Sequence, residues 1–152
     1  MKLFDKVMNA IGANSADKER VLEVFEFEAA GSHYYLDNIG KLACKNPEYG
    51  KKVPNTYSGR LYRYNYINKP VKLVADPQNK HDKNAVMVII AGELVGYVPA
   101  DMCKQVKNIL KGEVKYISSF IGGGHYKQVD DGKIVLKSEQ GIKVNVKIGY
   151  VK

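Results

Sequence analysis

The sequence has few of the residues that mark disulfide-rich, membrane or low-complexity proteins. It contains no Trp, 5 Pro and 2 Cys among 152 residues. Cys44 and Cys103 cannot form a disulfide framework, and both are predicted to be small core side chains in a reduced, cytoplasmic chain. No apolar run approaches the roughly 20 residues of a membrane-spanning helix, and no signal-peptide core is found at the start. We therefore expect a cytoplasmic domain with a real hydrophobic core.

Signatures of catalysis and of metal binding are missing as well. There is no GxSxG, HExxH or P-loop, and no GxGxxG follows a strand. Gly122-Gly123-Gly124 is interpreted as a mobile hairpin loop, although glycines beside basic residues can also approach phosphates. The sequence thus predicts no catalytic residue, metal or cofactor; a hydrolase would require Asp76, Asp82 and Asp101 to converge. The candidate metal ligands lack zinc spacing: His33, Cys44, His81, Cys103 and His125.

The positive charge is unevenly distributed along the chain. The net charge is +8, but residues 1–40 hold 4 basic and 7 acidic side chains, whereas residues 41–152 hold 20 basic and 9 acidic ones. An excess of this kind is typical of a surface that binds a polyanion. A lysine-rich solubilising surface has the same composition, so charge alone leaves both interpretations open.

The hydrophobic periodicity predicts a mainly β (α+β) domain with a helical N-terminal extension. Residues 1–22 have the amphipathic spacing of a helix, and residues 35–44 and 99–110 predict two short helices. Asp131-Gly132 predicts a tight hairpin turn, and a second turn is expected at residues 91–93. Short antiparallel strands of this kind favour a small barrel over a βαβ sheet. The predicted strands are residues 24–29, 71–75, 85–90, 94–98, 114–120, 133–137 and 142–150.

Aromatic and basic residues alternate in one short segment. Residues 60–66 contain three tyrosines and two arginines, Arg60 and Arg63. In a strand the three tyrosines would share one face. That face is either buried in the core or exposed, in which case the rings can stack on unpaired bases while the arginines bind phosphates. The adjacent rings of residues 33–35 leave at least one ring exposed, which gives a second possible stacking surface.

Two stretches together resemble the HIRAN domain family. Residues 76–88, DPQNKHDKNAVMV, are followed by residues 92–99, GELVGYVP. This pair is similar to the family's pattern N-P-Y-D-x-N-A-I-x-V, a glycine turn, and V-G-Y/H-hydrophobic-P. Gly31-Ser32-His33-Tyr34-Tyr35 resembles the aromatic segment that follows the family's first strand. The resemblance covers residues 23–120 and implies one domain over residues 23–152, with a C-terminal hairpin over 121–152.

The resemblance implies a small SH3/OB-like antiparallel β-barrel that binds single-stranded DNA. In the member found in a helicase-like transcription factor, the domain captures the 3′ end of the strand. Carried over to this sequence, Asp82 would accept a hydrogen bond from the terminal 3′-hydroxyl, and Tyr34 and His81 would shape the pocket. An Asx-type turn at Asn84 is the structural alternative for Asp82. The remaining nucleic-acid-binding candidates are His33, Arg60, Arg63, Tyr97, Lys104 and Phe120.

Several positions depart from the family pattern and leave the ligand's identity open. His33 stands where that member has arginine, and His81 replaces the usual tyrosine. Ala100 replaces a lysine, although Lys104 lies one turn further on. We therefore expect a nucleic-acid-binding module for single-stranded nucleic acid, DNA rather than RNA, in DNA repair or processing with a helicase or nuclease partner. The alternatives are a protein-interaction module that forms homo-oligomers through residues 1–22, or a metal-dependent hydrolase.

Overall fold

The computed structural model describes residues 21–66 and 68–152. The helix predicted for residues 1–22 lies outside this range except at its end, where Leu22 begins a strand instead. The described helices are a 3-10 helix Ser32–Tyr34, α1 Leu36–Gly40, a 3-10 helix Ala100–Met102 and α2 Cys103–Lys111. The strands are β1 Leu22–Glu28, β2 Ala43–Lys45, β3 Gly59–Tyr62, β4 Tyr64–Tyr66, β5 Val71–Ala75, β6 Val86–Ile90, β7 Glu93–Tyr97, β8 Glu113–Gly123, β9 Tyr126–Asp130, β10 Lys133–Ser138 and β11 Ile142–Val151.

Within the described ranges the strands form four antiparallel sheets. Their orders are β1-β11-β8, β10-β9-β3, β2-β4 and β5-β6-β7. The mainly β prediction and the antiparallel pairing are confirmed, but the sheets do not close into a single barrel. One reason is that β8 pairs with β11 whereas β9 pairs with β3 and β10, so the chain changes sheets at Gly124-His125. Gly122 and Gly123 are the last residues of β8 and pair with β11, so Gly122–Gly124 is not a hairpin loop, and that part of the sequence prediction was wrong.

The core lies between two of the sheets and α2. Val144, Val146 and Ile148 of β11 are fully buried, while Asn145 and Lys147 between them are exposed. This period of two is expected where one face of a strand covers a core. The other main contributors to the same cluster are Val86, Val88, Ile90, Val95, Cys103, Val106 and Ile109. Because β11 is the central strand of its sheet, the C-terminal segment is an integral part of the domain's core.

Two tight turns agree with the sequence prediction. Ala91 and Gly92 between β6 and β7 both have positive φ, at 51° and 81°. Asp131 and Gly132 between β9 and β10 also have positive φ, at 45° and 78°. Two consecutive left-handed residues are the requirement of a two-residue type I′ hairpin, whose twist matches that of the strands. Each turn sets the register of its two strands, with Ile90 opposite Glu93 and Asp130 opposite Lys133.

The segment around Cys44 differs from the prediction. The helix predicted to reach Cys44 ends at Gly40, and Ala43–Lys45 instead pairs with β4 as a strand. Cys44 is exposed rather than part of the core, because its strand is a two-stranded edge, whereas Cys103 is buried as predicted. The strands Ala43–Lys45 and Tyr126–Asp130 were not predicted, and residues 60–66, considered only as a possible strand, form two strands that are separated at Arg63.

Candidate nucleic-acid interface

The loop between β5 and β6 is ordered by its own polar side chains. Oδ1 of Asn79 accepts hydrogen bonds from the backbone N–H groups of His81 and Asp82, at 2.9 Å and 3.0 Å. Oδ1 of Asp82 accepts one from the N–H of Asn84 at 2.8 Å, so the predicted Asx-type turn is present. No residue that the structure describes donates a hydrogen bond to Oδ2 of Asp82. Asp82 is therefore held by one oxygen while the other can accept a ligand's hydrogen.

Tyr97 fixes this loop to β7. Its hydroxyl donates a hydrogen bond to Oδ2 of Asp76 at 3.1 Å, and Nδ2 of Asn79 donates to the same oxygen at 3.3 Å. Burial of the phenol, reinforced by the bond to Asp76, raises the pKa of Tyr97 to about 12. The ring of Tyr35 lies 6.2 Å from that of Tyr97. Tyr97 thus connects the Asp82 loop with the aromatic segment, and we interpret it as a positioning residue.

Asp82 lines a cavity of about 470 Å³ together with one face of α2. Lys104, Lys107 and Lys111 contribute to the cavity wall, as does Asn108. The spacing i, i+3, i+7 places the three lysines on the same side of the helix. Val106 and Ile109 of α2 are buried in the core, and the buried Cys103 lies where the core meets the cavity. We call this site, formed by Asp82, Asn108 and the three lysines, the lysine cavity.

The lysine cavity has an excess of positive charge. None of its three lysines forms a salt bridge with another described residue. Like charges at neighbouring positions of a helix face destabilise it, so this arrangement favours an anion as ligand. Lys104 was predicted, but Lys107 and Lys111 were missed. Their spacing relative to Lys104 was the sequence signal that would have identified them.

The aromatic segment places Tyr34 in solvent. Gly31 has φ of +73° and is followed by the 3-10 helix Ser32–Tyr34. The ring of Tyr34 is 79% exposed, and its centroid lies 4.0 Å from that of His33. The whole turn packs closely on β7, since a Cβ at Gly96 would lie 2.9 Å from Oγ of Ser32. One predicted stacking ring is therefore accessible on a turn that is fixed to the domain.

Arg60 lies on the sheet β10-β9-β3, outside the lysine cavity. Its guanidinium lies 4.5 Å from the centre of the Tyr126 ring and is hydrogen-bonded to Gln128 at 3.4 Å. A hydrogen bond with the hydroxyl of Tyr62, at 3.5 Å, raises the pKa of Arg60. These contacts hold the Arg60 guanidinium on the surface of the sheet.

Arg63 and Phe120 also lie outside the lysine cavity. The Arg63 guanidinium lies 5.4 Å from the centre of the Tyr64 ring, and Arg63 shares a depression with His33. Phe120 is 64% exposed on β8 and lines a depression with Tyr64 and Tyr66. The predicted residues thus fall on more than one surface. Asp82 and Lys104 lie in the lysine cavity, His81 lies on the β5–β6 loop, and Tyr97 at the end of β7 is bonded to that loop. The others lie on the 3-10 helix Ser32–Tyr34, on β3, between β3 and β4, and on β8.

Two further observations concern metals and membranes. Over residues 21–66 and 68–152, no group of three or more His, Cys, Asp or Glu side chains is arranged to hold a metal ion. Asp76, Asp82 and Asp101 accordingly do not form such a group. None of the helices that the structure describes is long and apolar enough to cross a membrane.

An antiparallel β domain with a basic cavity and exposed aromatic rings has the features of a module that binds nucleic acid. The HIRAN domain family model matches residues 22–121, and the chain belongs to this family. The family is known for DNA binding, which supports a nucleic-acid-binding module. A similar solved structure is the HIRAN domain of human HLTF, with 17% identity, a TM-score of 0.40, and coverage of 87% of this chain and 78% of that one. No curated protein matches the sequence significantly.

Proposed function

We propose that this chain binds the free 3′-hydroxyl end of single-stranded DNA as an accessory module of DNA repair or processing. The observation that carries the proposal is the placement of one carboxylate, Asp82, in a cavity with three lysines. A uniformly basic cavity would accept any phosphate of the strand. A cavity that also contains a carboxylate distinguishes between groups that donate a hydrogen bond and groups that carry negative charge.

The geometry of Asp82 suits a terminal hydroxyl. Because Oδ1 is engaged with the N–H of Asn84, the carboxylate is oriented before the ligand arrives. Oδ2 is an acceptor for which a free 3′-hydroxyl supplies the missing donor. A 3′-phosphate at the same position would bring two anions together, which is unfavourable in a partly buried site. The lysines would meanwhile bind the phosphates that precede the last nucleotide.

The exposed rings supply the contacts to the nucleotide itself. We assign Tyr34 and His81 to packing against the terminal base and sugar, since both side chains are exposed. Aromatic rings stack on unpaired bases with about 1–3 kcal/mol per base, and this preference requires a single strand. His33, Arg60, Arg63 and Lys104 are assigned to phosphates, and Phe120 to a further stacked base.

The test is a comparison of fluorescently labelled strands by anisotropy at low salt. We expect a single strand with a 3′-hydroxyl to bind more tightly than the same strand with a 3′-phosphate and than a blunt duplex. Affinity should also fall as salt rises, because bound lysines release counterions from the strand. Equal affinity for the 3′-hydroxyl strand and the 3′-phosphate strand would exclude recognition of the 3′-hydroxyl. The absence of binding at low salt would exclude single-stranded DNA as the ligand.

A further inference from the structure

Two depressions adjoin each other along Tyr64 and Tyr66, and each has a volume of about 330 Å³. The first is bounded by Phe120 on β8, and the second by His33. We propose that this surface, the tyrosine groove, binds the unpaired bases of the nucleotides that precede the 3′ end. The inference rests on the proposed function, and it adds a second surface along which the strand continues. The groove is defined by His33, Arg63, Tyr64, Tyr66, Phe120 and Gly122–Gly124.

Phe120 offers a flat, accessible ring at one end of the groove. Its side chain is 64% exposed, which is unusual for a phenylalanine on a strand with a buried face. The ring lies against Gly122, since a Cβ at that position would be 2.8 Å from Cε1 of Phe120. The glycine thus lets one face of the ring rest on the strand and leaves the other face to solvent. A ring held in this way can stack on a base with little loss of side-chain entropy.

The glycines also keep the floor of the groove free of side chains. Gly123 and Gly124 have positive φ, at 81° and 84°, where the chain leaves β8. A Cβ at Gly123 would lie 2.4 Å from the carbonyl oxygen of Gly141, and the Gly124 N–H donates to that oxygen at 3.1 Å. The hydroxyl of Tyr66 lies 3.5 Å from the position of a Cβ on Gly124. The backbone here packs closely on Gly141, and Gly123 and Gly124 line the depressions beside the tyrosines without side chains of their own.

The charges of the groove favour nucleotides over an apolar peptide. The Arg63 guanidinium lies 5.4 Å from the centre of the Tyr64 ring and has no salt bridge to any residue that the structure describes. His33 and His125 line the same depression, and Glu139 is the one acidic side chain among its lining residues. A cation stacked beside aromatic rings matches the alternation of phosphate and base along a strand. We place the phosphates at Arg63, with the bases against the rings.

The aromatic segment, Gly31–Tyr35, lies between the groove and the β5–β6 loop that carries Asp82. Its Tyr35 lies against Tyr97, which is bonded to Asp76 of the loop that bears Asp82. Its His33, two residues earlier, lines the groove together with Leu36 of α1. The aromatic segment thus touches both regions: Tyr97 of the end-recognition region through Tyr35, and the groove through His33.

The test compares 3′-hydroxyl strands of about 4 and about 10 nucleotides, within the range of site sizes of single-strand-binding domains. The wild-type protein should bind the longer strand more tightly. Phe120→Ala should remove roughly 5- to 150-fold of that gain, and Arg63→Gln should also reduce it, while the ratio of the affinities for 3′-hydroxyl and 3′-phosphate strands stays unchanged in both variants. Tyr116→Ala is the matched control, since Tyr116 is a 39% exposed ring on the same strand and does not line either depression.

The outcomes separate this inference from the proposed function. If the length gain persists in Phe120→Ala and Arg63→Gln, or is lost equally in Tyr116→Ala, the tyrosine groove does not bind the strand, even where the 3′-hydroxyl preference is intact. If the groove binds a peptide instead of the strand, the longer strand will still bind more tightly in both groove variants, and this result would also overturn the inference. If both strand ends bind equally but the gain is lost only in the groove variants, the groove is supported and end recognition fails.

Discussion

The two oxygens of the Asp82 carboxylate have different surroundings. Oδ1 completes a turn by accepting the N–H of Asn84 at 2.8 Å, whereas Oδ2 has no donor among the described residues. The sequence pattern Asp-x-Asn predicted the turn from local chemistry alone, and the family resemblance predicted the ligand contact. The structure has room for both, because each role uses its own oxygen.

Substitution of Asp82 separates these two roles. Asp82→Asn retains an oxygen for the turn but replaces the other oxygen by an NH₂ group, which cannot accept a hydrogen bond. We expect its free energy of unfolding to stay within about 0.5 kcal/mol of the wild type. Its affinity for a 3′-hydroxyl strand should fall and its affinity for a 3′-phosphate strand should rise, as measured by anisotropy. Asp82→Ala, the control, loses the turn as well and should destabilise the fold by about 1 kcal/mol. An unchanged ratio of the two affinities in Asp82→Asn would contradict the assignment.

Tyr97 predicts a dependence of stability on alkaline pH. Its pKa is raised to about 12 in the folded state, chiefly by burial, whereas the pKa of tyrosine in an unfolded chain is about 10. The folded state therefore holds this proton more tightly. The corresponding stability is fully present below about pH 10 and is lost as pH rises through about 12.

Tyr97→Phe provides the measurement of this effect. The variant lacks the hydrogen bond to Asp76 and should be less stable by about 1 kcal/mol near neutral pH, by urea unfolding. Phenylalanine does not titrate, so the difference from the wild type should shrink as pH rises above about 10. Tyr66 and Tyr150, whose pKa values are also raised, are present in both proteins and cancel in the comparison. A difference that is constant with pH would show that Tyr97 has no such role.

Among the elements, α2 combines a structural face with the face that we propose binds the strand. Lys104, Lys107 and Lys111 line the lysine cavity. The variants Lys104→Gln, Lys107→Gln and Lys111→Gln each remove one positive charge and keep much of the aliphatic part of the side chain. For each lysine that contacts a phosphate, the slope of log affinity against log salt should decrease in magnitude by about 0.7 on a single strand. Lys52→Gln, in the exposed loop before β3, is the control and should leave the slope unchanged. Unchanged slopes in all three cavity variants would exclude α2 from the interface.

The β9–β10 hairpin depends on a glycine. Gly132 has φ of +78°, and a Cβ there would lie 2.5 Å from Cα of Asn55 and 2.8 Å from the carbonyl oxygen of Pro54. Gly132→Ala should therefore destabilise the protein by more than the roughly 1–2 kcal/mol of left-handed backbone alone, in urea unfolding. Gly50→Ala is the matched control, because nothing lies within 4 Å of its added Cβ. Equal stability of the two variants would contradict this account of the turn.

Elements with strong local signals could be predicted from the sequence, and those that depend on distant partners could not. The turn at Asp131-Gly132 and the alternation of β11 are local properties of the chain. In contrast, Ala43–Lys45 becomes a strand only because β4 pairs with it, so the helical spacing of residues 35–44 was misleading beyond Gly40. The closed barrel failed for a similar reason, because no local pattern shows that the chain changes sheets at Gly124-His125.

The same distinction applies to the candidate site. Asp82 and Lys104 follow from the family resemblance, and the i, i+3, i+7 spacing of Lys104, Lys107 and Lys111 is a further signal in the sequence. The bond between Tyr97 and Asp76 joins residues 21 positions apart, and sequence periodicity contains no information about it. Nor could the sequence show that Phe120 and Arg63 line depressions that adjoin along Tyr64 and Tyr66.

At the scale of the whole molecule, charge and shape have separate roles. The net charge of +8 arises after residue 40, and a field of this sign attracts any nucleic acid, whatever its ends. Selectivity requires local features, and the structure offers a carboxylate within the lysine cavity and exposed rings on other elements. General attraction therefore predicts the salt dependence, and Asp82 predicts the preference among strands.

A comparison of a linear with a circular single strand of the same sequence tests whether the protein recognises a strand end. A circle has the same phosphates and bases but no end, so it retains the general attraction and lacks the 3′-hydroxyl. We predict that the full chain binds the linear strand more tightly than the circle, and that a 3′-phosphate reduces the linear strand's affinity to that of the circle or below. Equal affinity for the circle and for the linear strand with its free 3′-hydroxyl would contradict the central claim that this protein recognises an end.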